Sequence, residues 1–294
     1  LAEACQWVEN VIAESACGIM DQIASVLGDE GHVLPLVCQP CVPEDLVRLP
    51  DEIECWAIDS GVSHEVSGVE YEAARAAAFM GYKMICDWER LLVTPDTTGQ
   101  IARYTDPRWN GYLANVARAE FHERYEQRLP ETMSAGDFFK ISDSHADPFT
   151  NLQEGVVYHV RANTRYAVEE NQRVQLFAQL ARLGASDPSE RTFLLMGDLM
   201  YQSHFAYSEC GLGSTATDAL VSLARAEGPR RGIYGAKITG GGAGGTVAML
   251  ARKGARDALD RIAACYAEQR GHHPYVFTGS SSGADRFGVV VLRK

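Results

Sequence analysis

The sequence predicts an α+β protein in which helices pack against an antiparallel β-sheet. Helical periodicity dominates the middle of the chain, and short β-type runs occur before it and in its final part. A cluster of glycines lies between two of the late runs. The order strand, strand, helix, strand, strand, preceded by helices, is typical of this fold class.

In the first part of the chain, the sequence predicts helices at both ends and short strands between them. Residues 1–14 and 18–27 have helical spacing that small residues interrupt. The segments HVLPLVCQ (32–39) and ECWAID (54–59) are short β-type runs that prolines separate. The Ala-rich segment at 66–92 predicts one long helix.

The central part predicts an irregular insertion followed by three helices. Residues 93–155 carry four prolines and many charges, which indicates loops and short helices. Helical periodicity returns at 156–182 and 190–207, and Asp187 and Ser189 are candidate N-caps of the second of these helices. A further helix is expected at 215–227.

The final part predicts the strands of the sheet. Residues 234–239 and 246–251 are β-type runs on either side of the glycine cluster. Residues 254–270 predict an amphipathic helix. Two closing strands are expected at 275–278 and 286–292.

The composition is that of a globular chain. Its 294 residues are 46% hydrophobic and 22% charged, enough for one large domain or one and a half. The net charge of −12 argues against binding nucleic acid or an anionic membrane, because phosphate groups require Lys and Arg. No run approaches the roughly 20 apolar residues of a membrane helix, and no secretory signal is evident. We therefore expect a cytoplasmic protein with reduced cysteines.

The strongest local signal is five glycines in six residues, Gly240, Gly241, Gly242, Gly244 and Gly245. The pattern satisfies G-x-G-x-x-G, but in a dinucleotide site the glycines open a helix, and here the β-type run TVAML follows. The ATPase P-loop is excluded because no Gly-Lys-Ser/Thr follows. The cluster indicates either close backbone approach to a ligand or catalytic segment, or an elaborate turn.

Asp21 follows Gly18 in the segment CGIMDQ and is expected near the start of a helix. The positive end of the helix dipole would keep its carboxylate ionised, which suits a general base or an electrostatic partner for a substrate hydroxyl. An Asp that only stabilises its own helix is the alternative interpretation.

Three further side chains could contact a ligand. Tyr71 is a candidate partner for a sugar hydroxyl, although a half-buried core residue is the more common role of such a tyrosine. His204 and Tyr207 lie on a predicted helix that leads into CGLGS. They could line a pocket or could be packing residues.

Three segments, taken in order, resemble the GHMP superfamily of small-molecule kinases, which includes galactokinase, homoserine kinase, mevalonate kinase and phosphomevalonate kinase. VENVIAESACGIMDQIAS is similar to the galactokinase segment with the catalytic aspartate, and IDSGVSHEVSGVEY to the segment with the sugar-binding tyrosine. YGAKITGGGAGGTVAML is similar to the glycine-rich third motif. LVCQPC, WAIDSGVSH, CGLGS and FTGSSSGADRFG resemble the arabinose kinases in particular.

The resemblance implies a ferredoxin-like C-terminal lobe at residues 31–294, preceded by the tail of an S5-like N-terminal lobe at residues 1–30. ATP and Mg²⁺ would bind between the lobes. Asp21 matches the base that faces the anomeric hydroxyl of the sugar, and Gly18 and Tyr71 match substrate-binding positions. The five glycines match the phosphate and active-site loop.

The family's first motif and its Gly/Ser-rich phosphate loop precede the catalytic aspartate, and neither occurs in this sequence. We therefore expect the metal ligands and most ATP contacts on an N-terminal lobe outside this chain, and little or no activity from the chain alone. The implied reaction is ATP-dependent phosphorylation of a free sugar, L-arabinose first and galactose or another sugar as the alternative. A silent sugar-sensing module is the alternative of another class, and the retained Asp21 argues against it.

Overall fold

The structure is a computed structural model that describes residues 1–13, 17–38, 41–62, 69–96, 103–147 and 149–291. The ends of several predicted elements, at residues 14, 39, 66–68 and 292, lie outside these ranges.

The N-terminal part begins with short helices and ends with a long strand. Its elements are α1 (Ala2–Trp7), a π-helical turn (Val8–Ile12), α2 (Met20–Leu27), β1 (His32–Val33), β2 (Leu36–Val37), β3 (Val42–Pro43), β4 (Val47–Arg48) and β5 (Ile53–Asp59). The predicted strand at 54–59 is confirmed. The run at 32–39 is instead divided into β1, which pairs with β4, and β2, which pairs with β3. Pro35 lies between them and has no N–H to donate to a continuous ladder.

The central part combines one long helix with many short elements. They are α3 (Val69–Trp88), β6 (Thr94–Asp96), β7 (Arg103–Thr105), a 3₁₀ turn (Leu113–Asn115), α4 (Arg118–Glu120), a π-helical turn (Phe121–Tyr125), a 3₁₀ turn (Glu126–Arg128), β8 (Met133–Ser134), α5 (Ala135–Phe138) and β9 (Val157–Tyr158). The short elements agree with the irregular segment that the prolines predict. This segment is nevertheless well packed, because Phe121, Tyr125 and Phe138 are fully buried in an apolar cluster shared with α3.

The C-terminal part contains the long helices and most of the sheet. Its elements are α6 (Val160–Ser186), α7 (Glu190–Tyr207), a π-helical turn (Ser208–Leu212), α8 (Thr215–Glu227), a 3₁₀ turn (Pro229–Arg231), β10 (Ile233–Ile238), β11 (Thr246–Arg252), α9 (Arg256–Arg270), β12 (Val276–Phe277) and α10 (Ala284–Phe287). Of the two candidate caps, Ser189 caps α7, since its side chain accepts a hydrogen bond from the Thr192 N–H at 3.2 Å. Asp187 is instead the C-cap residue of α6.

The strand predicted at 286–292 is wrong. Its first residues belong to α10, and residues 288–291 have no regular structure. Gly288 adopts a φ of +69°, which ends the helix and turns the chain. Val289 is 91% exposed, so this apolar run has no sheet face or neighbouring strand to cover it within the described residues.

The sheet has the strand order β10–β11–β5–β12, and neighbouring strands are antiparallel. Helices α8 and α9 cover one face through a cluster that includes Leu220, Leu259 and Ile262. Helices α6 and α7 cover the other face through a cluster that includes Phe193 and Met196. The α+β class with an antiparallel sheet is therefore confirmed. No helix in the described part of the chain has both the length and the hydropathy that crossing a membrane requires.

Helix α7 lies directly on β10 at a contact between two glycines. A Cβ atom added to Gly197 would be 2.0 Å from the carbonyl oxygen of Tyr234, and one added to Gly235 would be 2.4 Å from the Cα of Gly197. Both distances are far below van der Waals contact. The approach of helix and sheet therefore requires glycine at both positions.

We predict that Gly197→Ala lowers the free energy of unfolding by about 1–3 kcal/mol, because the methyl group must push α7 away from β10. Urea unfolding of the variant measures the change. Gly136→Ala in α5 is the control, because its added Cβ meets nothing within 4 Å. An unfolding free energy for Gly197→Ala as high as that of the parent chain would contradict the prediction.

Candidate functional site

The turn before α2 places Asp21 in the first turn of that helix, as the sequence predicts. Ile19, just before the helix, is buried at 2% exposure and anchors the turn in the core. The side chain of Asp21 is exposed and so is accessible to a ligand.

The peptide groups of Cys17 are held by side chains from two parts of the fold. The Cys17 N–H donates to Asn10 Oδ1 at 2.8 Å. The Cys17 carbonyl accepts from Gln6 Nε2 at 3.3 Å and from Arg75 Nη1 at 3.5 Å. Gln6 belongs to α1 and Arg75 to α3, so the turn that carries Gly18 is fixed from both sides.

Tyr71 lies beside Gly18, so two of the predicted substrate-binding residues are neighbours. A Cβ added to Gly18 would be 3.7 Å from the phenol oxygen of Tyr71. Burial raises the pKa of the Tyr71 phenol, and the nearby Gly18 N–H opposes that shift. Tyr71 belongs to an apolar cluster whose members come from α3, α6, the end of α7 and the π-helical turn after it, namely Ala74, Tyr166, Tyr207, Cys210 and Leu212.

Tyr207 connects the glycine loop to the rest of the site. Its hydroxyl donates to the carbonyl of Gly240 at 2.9 Å. Burial is the main reason that the pKa of Tyr207 lies far above its ordinary value, and the Asp21 carboxylate is among the charges that raise it further. Tyr207 therefore binds the loop from within the same apolar cluster as Tyr71.

The glycine loop joins β10 to β11 and is held at three more points. The Thr239 N–H donates to the carbonyl of Thr246 at 3.1 Å, at the base of the loop. The Ala243 N–H donates to the carbonyl of Leu212 at 2.7 Å, and the Gly245 N–H to the carbonyl of Val62 at 2.9 Å. The loop thus lies between the π-helical turn after α7 and the segment after β5. These contacts fix its backbone on two sides.

The glycines of the loop serve different purposes. A Cβ added to Gly242 would be 2.6 Å from the carbonyl of Leu212, and one added to Gly244 would be 2.6 Å from the carbonyl of Val62. At these two positions the close approach is to the protein itself. Gly240 has a φ of +63° and nothing within 4 Å of an added Cβ, so its surroundings are open.

Several backbone donors of the loop remain available to a ligand. Within the described residues, the N–H groups of Gly240, Gly241 and Gly244 have no hydrogen-bond acceptor. Where successive residues alternate between right-handed and left-handed backbone conformations, their N–H groups form a concavity that binds anions. The loop can therefore donate hydrogen bonds to an anionic group near Tyr207.

The chemistry of the assembled groups is that of a carboxylate, neutral phenols and backbone donors. With raised pKa values, Tyr71 and Tyr207 remain protonated donors near neutral pH. Asp21 can accept a proton or a hydrogen bond. Among the described residues, no group of three His, Cys, Asp or Glu side chains could hold a metal ion.

His204 lies near the site but is engaged within the fold. Its Nδ1 is 3.3 Å from the N–H of Ile238, and its Nε2 is 3.1 Å from the Asp218 carboxylate. Burial lowers the pKa of the imidazole, which favours the neutral ring as an acceptor for the strand N–H. The packing interpretation of His204 fits these contacts.

A separate surface pocket of about 470 Å³ lies at the N-terminus of α7. It is lined by Asp51, Glu52, Pro188, Ser189, Glu190, Phe193, Tyr234, Arg252 and Lys253. None of the sequence-predicted site residues is among them, so this pocket is distinct from the candidate site.

The sequence gives little indication of two residues near the site. Arg75 lies four residues after Tyr71 in YEAAR, a spacing that places both on one face of a helix. Asp147, its ion-pair partner, has no recognisable motif around it. Only the tertiary structure brings Asp147 next to α3.

Comparison with known proteins identifies relatives over the whole chain. Residues 170–268 match the family described as GHMP kinases C terminal. The chain is 35% identical to L-arabinokinase of Arabidopsis thaliana over all of its length, and covers 30% of that protein. It is 28% identical to galactokinase of Chloroflexus aurantiacus over 85% of its length, and covers 50% of that protein.

A solved structure has the same fold. Lactococcus lactis galactokinase, determined in complex with galactose, superposes with a TM-score of 0.66 at 18% identity, over 95% of this chain and 58% of that one. The chain thus spans from 30% to 58% of the length of these relatives. Residues 170–268 thus contain the C-terminal domain of the GHMP kinases, and the chain is a homologue of L-arabinokinase and galactokinase.

Proposed function

We propose that this chain is the C-terminal part of an ATP-dependent sugar kinase that phosphorylates the anomeric hydroxyl of a free sugar, with L-arabinose as the substrate. Asp21 would be the catalytic base. Gly18 and Tyr71 would contact the sugar, and the loop from Gly240 to Gly245 would border the phosphate.

One observation carries this proposal. Tyr207 donates to the carbonyl of Gly240 and packs in one apolar cluster with Tyr71, whose phenol lies beside Gly18 in the turn that leads to Asp21. The three sequence segments that resemble the kinase motifs are far apart in the chain, yet Tyr207 and Tyr71 link them through these contacts. Such convergence is what a shared active site requires.

In the proposed reaction, the sugar hydroxyl lies between the Asp21 carboxylate and the γ-phosphorus of ATP. Asp21 accepts the hydroxyl proton as the sugar oxygen forms its bond to phosphorus. The bond from phosphorus to the β–γ bridging oxygen breaks, and ADP leaves. Positioning and charge neutralisation supply most of the acceleration of phosphoryl transfer. A base contributes on the order of 10²–10⁴-fold.

Neutralisation of the phosphate charge would require groups beyond those described. The free N–H groups of Gly240 and Gly241 can donate to phosphate oxygens. The described donor set does not fit a resident Mg²⁺, which takes oxygen ligands in near-octahedral geometry, and no step above uses one. The resemblance assigns the metal ligands and most ATP contacts to an N-terminal lobe.

A catalytically silent sugar-sensing module remains the competing function. Such a module would need the sugar contacts of Gly18 and Tyr71 but would have no use for a base. The exposed carboxylate of Asp21 at a helix N-terminus favours the enzyme.

For the sugar, we predict that the complete gene product phosphorylates L-arabinose with a kcat/KM above that for D-galactose. The greater similarity to L-arabinokinase than to galactokinase supports this order. The preference is measured by assaying a panel of free pentoses and hexoses with ATP and Mg²⁺ and recording the rate of ADP release with each sugar. Preference for galactose would establish the alternative substrate, and binding of a sugar without turnover would favour the sensor.

For the base, we predict that Asp21→Asn in the complete gene product lowers kcat by about 10²–10⁴-fold, because the amide cannot accept the proton. Sugar affinity, measured by calorimetry, should change little, since Asn can still form a hydrogen bond. Asp45→Asn is the matched control, an exposed Asp in the loop between β3 and β4. Parental turnover by Asp21→Asn would rule out the proposed mechanism.

For the isolated chain, we predict little or no phosphorylation of any sugar, since the base alone cannot replace the missing phosphate and metal contacts. The 294-residue chain is assayed with ATP and Mg²⁺ at a protein concentration high enough to detect one turnover per hour. Addition of a separately expressed N-terminal portion should restore activity. Robust turnover by the chain alone would show that these residues suffice.

A further inference from the structure

A buried ion pair lies directly behind the candidate site. Arg75 Nε is 2.7 Å from Asp147 Oδ2, and Arg75 Nη2 is 3.1 Å from Asp147 Oδ1. The Asp147 side chain is 0% exposed and that of Arg75 is 14% exposed. Two parallel hydrogen bonds between a guanidinium and a carboxylate fix both position and orientation.

Groups around the pair hold each partner in place. Asp147 also accepts from Thr150 Oγ1 at 2.8 Å, and Thr150 Oγ1 is 2.9 Å from His145 Nε2. The guanidinium carbon lies 5.6 Å from the ring centre of Phe79 and 5.5 Å from that of Phe149. Burial lowers the pKa of His145, so this ring is neutral near pH 7 and adds no charge next to Arg75.

Arg75 links this network to the site. Its third nitrogen, Nη1, donates to the carbonyl of Cys17, the residue before Gly18. Arg75 also lies one helical turn after Tyr71 on α3, so the two side chains share a helix face. One guanidinium therefore connects the turn that leads to Asp21 with the helix that carries Tyr71.

The pair is poorly explained as a source of stability alone. A buried ion pair loses hydration on folding, and well-packed apolar side chains of similar volume are often equally stabilising. What the pair supplies and apolar side chains cannot is a second directed donor, besides Gln6 Nε2, for the buried Cys17 carbonyl. Fixed geometry is thus the property that this arrangement adds.

We propose that Arg75 and Asp147 are positioning residues that hold the Cys17–Gly18 turn against α3 and thereby set the separation of Asp21 and Tyr71. This inference rests on the proposed function, because it concerns the same sugar site. Neither residue would touch the sugar. Both would act through the turn and through the register of α3.

Two variants test the proposal. Arg75→Lys keeps the charge but cannot form two parallel bonds to Asp147 and a third to Cys17. The double variant Arg75→Gln, Asp147→Asn leaves no unpaired buried charge and guards against a failure to fold. Arg173→Lys is the matched control, since Arg173 is 12% exposed and pairs with Glu169 and Glu170 on α6.

Hydrogen exchange of the 294-residue chain measures the positioning directly. We expect amides of residues 17–24 to exchange at least about tenfold faster in both Arg75 variants than in the parent chain, because the turn loses the donor that ties it to α3. Arg173→Lys should leave these amides unchanged even if it lowers the melting temperature. Parental exchange at 17–24 in both Arg75 variants would overturn the proposal.

Kinetics of the complete gene product give a second readout. We expect Arg75→Lys to raise the sugar KM and lower kcat, each by about tenfold, with the KM for ATP unchanged, since a misplaced base and a misplaced sugar contact cost rate steeply. Unchanged sugar kinetics would also overturn the proposal. Absence of sugar phosphorylation in the parent protein would instead reject the proposed function, and the exchange measurement would still decide whether Arg75 holds the turn.

Discussion

The hydrogen bonds that hold the glycine loop are the constraint on which the candidate site depends. The loop donates to Leu212 and Val62 and accepts from Tyr207, so segments from β5, α7 and the β10–β11 connection meet around it. A glycine-rich backbone has high conformational entropy when unrestrained, and isolated glycines would not hold their donors in one arrangement. The surrounding contacts convert a flexible sequence into a fixed set of N–H groups.

The same principle applies to the turn that carries Gly18. Its peptide groups are bound by Asn10, Gln6 and Arg75, and the last of these is itself fixed by Asp147. Asp21 is exposed to a ligand, whereas Gln6 and the Arg75–Asp147 pair behind the turn are largely buried. This division between accessible chemistry and rigid support is typical of preorganised sites.

Much of the fold could be predicted from sequence because its long elements have strong periodic patterns and clear caps. Helices α7 and α8 have the predicted bounds, and Ser189 and Ser214 cap them. For residues 286–292, in contrast, the local pattern of the sequence predicts a strand, which residues 286–291 do not form. Its β-branched run favours a strand locally, but a strand also needs a neighbour, and Val289 has none among the described residues.

The sequence by itself determined the carboxylate at a helix start, the glycine turn between two strands and the order of the kinase-like segments, because each is a local pattern. The tertiary structure alone decided that Tyr207 binds Gly240, that two of the loop glycines serve internal packing, and that Asp147 pairs with Arg75 across 72 positions. Contacts between distant segments depend on how helices and sheet pack, and no local pattern of residues encodes that packing.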